Sequence, residues 1–200
     1  PSRLVGSEMC IRDSNNGMIV SRHANIDLAV RGIVFGAVGT AGQRCTTLRR
    51  LIVHTSVYDV LMTKLKSAYA SLPVGDNFKE ETLVGPLINQ ESVDRMQSAL
   101  EQAKAKGYTV HGGEVVEGCS VRPAIVEATE QCDLIKTETF APILYVLKYS
   151  DLDEAINIHN AVPQGLSSCI FTDNVQEAET FTSAVGSDCG IVNINIGPSG

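Results

Sequence analysis

Apolar residues along this chain fall into two kinds of run, and the two kinds alternate. Short unbroken runs suit strands buried on both faces, and longer runs with apolar positions three and four apart suit one face of a helix. Gly17-Met18-Ile19-Val20 predicts the first strand. Asn25 or Asp27 then caps a predicted helix whose Ile26, Val30, Ile33, Val34 and Ala37 share a face, and which should fray at its glycines. A second strand is expected over 51–54. Ser56 is expected to cap the helix after it, with Val57, Val60, Leu61, Leu65, Tyr69 and Leu72 as one stripe and Lys64 and Lys66 in water. Pro73 ends that helix, and 75–86 reads as a long irregular connection. A helix opening at Asn89 or Ser92 runs through Lys106, with Gly107 as its stop. The strand over 108–111 then turns at Gly112-Gly113. The extended piece 121–128 carries Pro123, which lacks an N–H and so suits an edge or a loop. Further strands are predicted over 143–147, 166–172 and 190–196, with helices over 151–161 and 175–185 between them.

Strand, helix and strand in repeated succession predict an α/β fold, with a mostly parallel open sheet and flanking helices. At 200 residues the chain can bury one domain's core. Residues 1–14 show neither period and read as a non-native junction or disordered segment, which leaves 15–200 as the folded unit. A net charge of −7 offers no general attraction for phosphate backbones or anionic membranes, so nucleic acid is not an expected partner. No apolar run approaches the roughly 20 residues needed to cross a bilayer. The six cysteines form no C-x-x-C pair and the four histidines no ligand spacing, so no metal site is expected. Nothing resembling a signal peptide precedes the cysteines, so reduced thiols and an intracellular setting, cytosol or mitochondrion, are expected.

Two stretches can carry chemistry. In the first, Phe35-Gly36-Ala37-Val38-Gly39-Thr40-Ala41-Gly42-Gln43-Arg44-Cys45-Thr46-Thr47, the glycines let a ligand approach Cys45, and the Arg44 guanidinium would favour a thiolate if both point the same way. A buried structural thiol explains the same cysteine equally well. The second is Lys136-Thr137-Glu138-Thr139-Phe140-Ala141-Pro142. Glu138 and Phe140, two apart in an extended segment, face one side, where a carboxylate can bind a ribose diol and a ring can flank a flat heterocycle. A loop with a solvated Glu and a core Phe is the plainer alternative.

Taken together, G-Q-R-C-T-T, E-T-F-A-P and D-C-G-I-V-N-I-N, each beside an apolar strand, resemble the catalytic domain of NAD-dependent aldehyde dehydrogenases from Asn15 to Gly200, and within that family the antiquitin branch. The resemblance implies Cys45 as the nucleophile, its own backbone N–H contributing to the oxyanion hole. It implies Glu138 on the nicotinamide ribose and Phe140 beside the nicotinamide ring, with NAD as cofactor. Arg44 matches a residue of the substrate pocket, and Ser199 and Gly200 the start of the loop for the substrate's amino acid end, although Gly197-Pro198 departs from the branch's Pro-Thr. The implied substrate is a small-molecule aldehyde, α-aminoadipic semialdehyde, and the implied assembly of the full-length parent is a homo-oligomer, a tetramer. The family's general base is a Glu in an E-L-G-G segment, and Ile11 to Ser14 hold that register without it. The resemblance also implies an upstream dinucleotide-binding domain and a closing downstream segment, so a catalytic domain incomplete at both ends and inactive alone is expected. Two rivals stand beside this reading: a cysteine hydrolase pairing Cys45 with His54 or His159, and a non-enzymatic structural domain.

Overall fold

The computed structural model describes residues 14–199, so the junction expected over 1–14 lies almost wholly outside the described residues, as does Gly200. In chain order the elements are β1 (Asn16–Val20), α1 (Ile26–Val38), a 3-10 turn (Gly39–Gly42), β2 (Leu48–His54), α2 (Tyr58–Ala70), α3 (Gln90–Ala105), β3 (Thr109–Gly112), β4 (Val115–Glu117), β5 (Ser120–Val121), β6 (Ala124–Glu127), α4 (Asp133–Lys136), β7 (Ile143–Tyr149), α5 (Leu152–Asn160), β8 (Ser167–Phe171), α6 (Val175–Thr182) and β9 (Ile191–Ile194). Seven strands form one sheet in the order β3-β6-β7-β2-β1-β8-β9, parallel throughout except for the β3–β6 pair. This is the α/β fold, with its mostly parallel open sheet and flanking helices, that the alternating runs predict.

Strand periodicity divides the core into two layers. Met18, Val20, Leu51, Val53, Cys169 and Phe171 face the layer that holds Ile33 of α1, Leu61 of α2 and Met96 of α3. Ile19, Ile52 and Ile170 face the opposite layer, with Ile156 of α5 and Phe181 of α6. Covered on both faces, β1, β2 and β8 are buried along their whole length, which accounts for their unbroken apolar runs.

Helix starts follow the side chains that can accept from free N–H groups. The Asn25 side chain accepts from the Leu28 N–H and Asn89 from that of Ser92, while Asp151 and Asn174 cap α5 and α6. Ser56 does not cap α2: the helix begins at Tyr58, and the Ser56 hydroxyl instead lies 2.8 Å from His54 Nδ1. Lys64 and Lys66 reach solvent but are also ion-paired, with Asp27 and Glu127 respectively.

The larger departure concerns 121–128. β6 sits inside the sheet, antiparallel to β3 on one side and parallel to β7 on the other. Pro123 falls just before the strand, so its missing N–H leaves no gap in either ladder. Among the described residues no helix is long and apolar enough to cross a membrane, and no cluster of side chains could hold a metal ion.

Candidate active site

β1, β2 and β7 are parallel neighbours, so the chain segments that enter them lie side by side at one end of the sheet. Cys45 precedes β2, Glu138 and Phe140 precede β7, and Asn16 begins β1. The gathering is at the amino ends of the strands, whereas open parallel sheets more often take ligands at the carboxyl ends.

The cysteine turn is shaped by a run of left-handed backbone. After α1 ends, Thr40, Ala41 and Gly42 have φ of 55°, 52° and 70°. Gly42 is needed for contact as well as conformation, because a Cβ there would lie 2.5 Å from the carbonyl carbon and oxygen of Ala141. The turn therefore touches the segment entering β7. Cys45 itself is exposed, which removes the buried structural thiol as an account of it. Cys169 is the contrast: wholly buried, its thiol is pushed well above the usual pKa by burial.

Two side chains from the sheet hold the turn in place. The Asn16 amide donates to the carbonyls of Cys45 (2.8 Å) and Thr47 (2.9 Å), and its oxygen accepts from the N–H groups of Leu166 and Ser167. Arg49, with its side chain only 4% exposed, donates through Nη1 to the carbonyls of Gly42 (2.8 Å) and Ala141 (3.1 Å). Its Nη2 donates to the Arg44 carbonyl (3.3 Å) and to Glu138 Oε1 (3.1 Å). Burial pulls the Arg49 pKa below its usual value, and the Glu138 carboxylate opposes that pull.

Glu138 is 12% exposed, not the solvated loop carboxylate of the plainer reading. Nor is Phe140 a core residue. It has a φ of 54° and is 40% exposed, and the Arg49 guanidinium lies 5.4 Å from its ring's centre. Phe140 and Gln43 both line a cleft of about 670 Å³ against Pro86 and Ile88. Gln43 forms the cleft's seam, donating to the carbonyls of Thr40 and Pro86 and accepting from the Ile88 N–H at 2.9 Å. Glu138 also borders a cleft of about 400 Å³ shared with Arg95 and Thr137.

Arg44 turns away from that cleft. Its Nε donates to the Thr40 hydroxyl (2.7 Å), and its guanidinium lies 5.5 Å from the Phe35 ring, in an apolar groove of about 530 Å³ with Val34, Leu72 and Leu83. Ser199 does reach the cysteine turn, lying 3.2 Å from the Thr46 hydroxyl and donating to the Thr46 carbonyl at 3.1 Å.

The hydrolase alternative needs a histidine on Cys45, and among the described residues none is hydrogen-bonded to it. His54 pairs with Ser56 and the Ser150 carbonyl, His111 with Glu127, and His159 with Ser187, while His23 lies beside Glu177. Burial lowers the His159 pKa to about 3, so that ring is neutral at physiological pH.

The sequence patterns gave no role to Asn16, to Arg49 or, although it stands in the cysteine motif, to Gln43. For Arg49 a signal exists: Leu48-Arg49-Arg50-Leu51-Ile52-Val53 places two arginines in a strand buried from end to end, and a buried arginine requires partners.

The sequence pattern of the Aldehyde dehydrogenase family matches residues 12–200. Aldehyde dehydrogenase family 7 member B4 of Arabidopsis thaliana is 44% identical over 198 residues, covering 98% of this chain and 39% of that protein. Alpha-aminoadipic semialdehyde dehydrogenase of Bos taurus is 45% identical over 190 residues, covering 93% of this chain and 35% of that protein. Among solved structures, an NAD-dependent benzaldehyde dehydrogenase from Corynebacterium glutamicum superposes with a TM-score of 0.83 at 32% identity, over 91% of this chain and 39% of that one. The chain thus spans well under half the length of the proteins it resembles. A family pattern running through nearly all of its residues, over a fold shared with a solved member, shows that the chain belongs to the aldehyde dehydrogenase family.

Proposed function

We propose that residues 15–200 are the thiol-bearing catalytic domain of an NAD-dependent aldehyde dehydrogenase, with Cys45 as its nucleophile. The observation that carries the reading is the meeting of the exposed Cys45 turn with Glu138 and Phe140 across the Gly42–Ala141 contact. The residues fit a nicotinamide nucleotide. Glu138 presents a carboxylate of fixed orientation suited to a ribose diol, and Phe140 presents a half-exposed ring suited to the face of a flat heterocycle.

In this reading the Cys45 thiolate adds to the aldehyde carbon, and the new alkoxide is met by the Cys45 backbone N–H. Asn16 donates to the Cys45 carbonyl, which holds the Cys45–Thr46 peptide next to that N–H. The nicotinamide, when bound, supplies the hydride acceptor. Loss of hydride leaves a thioester on Cys45, and water cleaves it to the carboxylic acid and the free thiol.

Arg44, Ser199 and Gly200 are proposed to recognise the far end of the substrate. α-Aminoadipic semialdehyde is the proposed aldehyde, in keeping with the name of the bovine relative. A homo-oligomer, a tetramer, in the cytosol or mitochondrion completes the proposal. Since the chain spans 39% of its Arabidopsis relative, the 200 residues alone are expected to turn over slowly or not at all.

NADH formation from α-aminoadipic semialdehyde tests the reading, in this chain and in a form joined to the preceding region of a relative. The joined form should be active, and Cys45→Ala should reduce its turnover by on the order of a thousandfold or more. Turnover surviving in Cys45→Ala would sink Cys45 as the nucleophile.

A further inference from the structure

The cysteine turn and the segment entering β7 belong to distant parts of the chain, yet four of their oxygens converge on one guanidinium. Two of them, the carbonyls of Gly42 and Arg44, belong to the turn that carries Cys45. The other two, the Ala141 carbonyl and Glu138 Oε1, belong to the segment that carries Phe140. We infer that Arg49 is the positioning residue that sets the nucleophile turn and the Glu138–Phe140 segment at one fixed separation, so that both act on the same ligand. The inference rests on the proposed cofactor role of Glu138 and Phe140.

Three physical arguments support a dedicated role. A buried charge costs several kcal/mol in lost hydration, and an apolar side chain of similar volume would avoid that cost if filling space were the only requirement. A guanidinium offers donors in a rigid planar fork, whereas an ammonium is a compact point charge that cannot span acceptors on two loops with the same geometry. Finally, Thr40, Ala41 and Phe140 are non-glycine residues with positive φ, a conformation that persists only where the surroundings over-determine it. Arg49 bonds to carbonyls next to these residues on both loops, and its guanidinium lies near the Phe140 ring.

Arg49→Lys keeps the charge and removes the fork, and hydrogen exchange reads the result loop by loop. Amides of 39–47 and 138–141 should exchange at least about fivefold faster in Arg49→Lys, while those of 48–54 and 143–149 stay at the wild-type rate. Binding of nicotinamide mononucleotide, followed by saturation-transfer NMR, should weaken about tenfold in the same variant without a matching loss of thermal stability. A purely structural arginine would not separate those two readouts.

If Arg49→Lys fails to fold, Glu138→Gln decides the matter from the opposite loop, and should speed exchange across 39–47 about twofold or more. Wild-type exchange over 39–47 in every folded variant would overturn the inference. Absence of mononucleotide binding in the wild type, with the exchange response intact, would instead overturn the cofactor reading of Glu138 and Phe140 and leave Arg49 as a tie between loops.

Discussion

Arg49 and Arg50 are consecutive, both lie on β2 and both are buried, yet they are held in opposite ways. Strand alternation sends them to opposite faces of the sheet. Arg50 meets neutral oxygens: the side chains of Asn15 and Gln131 and the carbonyls of Asn15, Ile158 and His159. Burial lowers its pKa to about 10, which still leaves it charged at neutral pH, and it ties the end of α5 to the sheet. Arg49 instead bridges two turns and shares a carboxylate that is itself a proposed ligand group. The difference separates an arginine that completes a scaffold from one that spaces a site.

That comparison can be broken most forcefully at Arg50. Arg50→Met would strand several buried carbonyls at once, and urea denaturation should show a loss of about 3–5 kcal/mol. A loss below about 1 kcal/mol would mean that the scaffold role has been misread.

Gly42→Ala probes the other face, where a Cβ meets the Ala141 carbonyl and φ is 70°. The expected cost is about 2 kcal/mol, with faster proteolysis or exchange confined to the two turns that Arg49 joins. A variant as stable as wild type would show that the turns can part without penalty.

Per pH unit, the smallest effect is expected from acidification, and it belongs to Arg50's side. Burial, followed by the nearby Arg50 charge, lowers the His159 pKa from 6.5 to about 3 on folding. Below pH 6.5 the unfolded chain then binds more protons than the folded one, so this contribution is complete above that pH and is lost as pH falls toward 3. The slope should approach about 1.4 kcal/mol per pH unit, and His159→Gln should flatten it. An equally steep acid limb in His159→Gln would place the sensitivity elsewhere.

How much of this was legible in the sequence depends on the range of the interactions. Local signals worked: Asn89 caps α3, Gly107 follows its end with a φ of 82°, and the alternating runs mark the parallel sheet. Cys45, Glu138 and Phe140 came from motif resemblance, and the structure brings their segments together. Asn16 and Arg49 were missed because their partners lie far away in the chain, at Ser167 and Glu138. The start of β2 was missed for the same reason, since two arginines interrupt the apolar run that marks the rest of the strand. Pro123 misled because its effect depends on a register visible only once β6 is paired.

The Asn16 side chain carries one further lesson, for anyone hoping to transplant this chemistry. Its single amide is bonded to backbone from the turn before β2 and from the entry to β8. The stretch 36–47 is therefore not a portable cassette. Grafted onto another parallel sheet it would arrive without the fittings that shape it, and a recipient would have to supply the openings of three strands together.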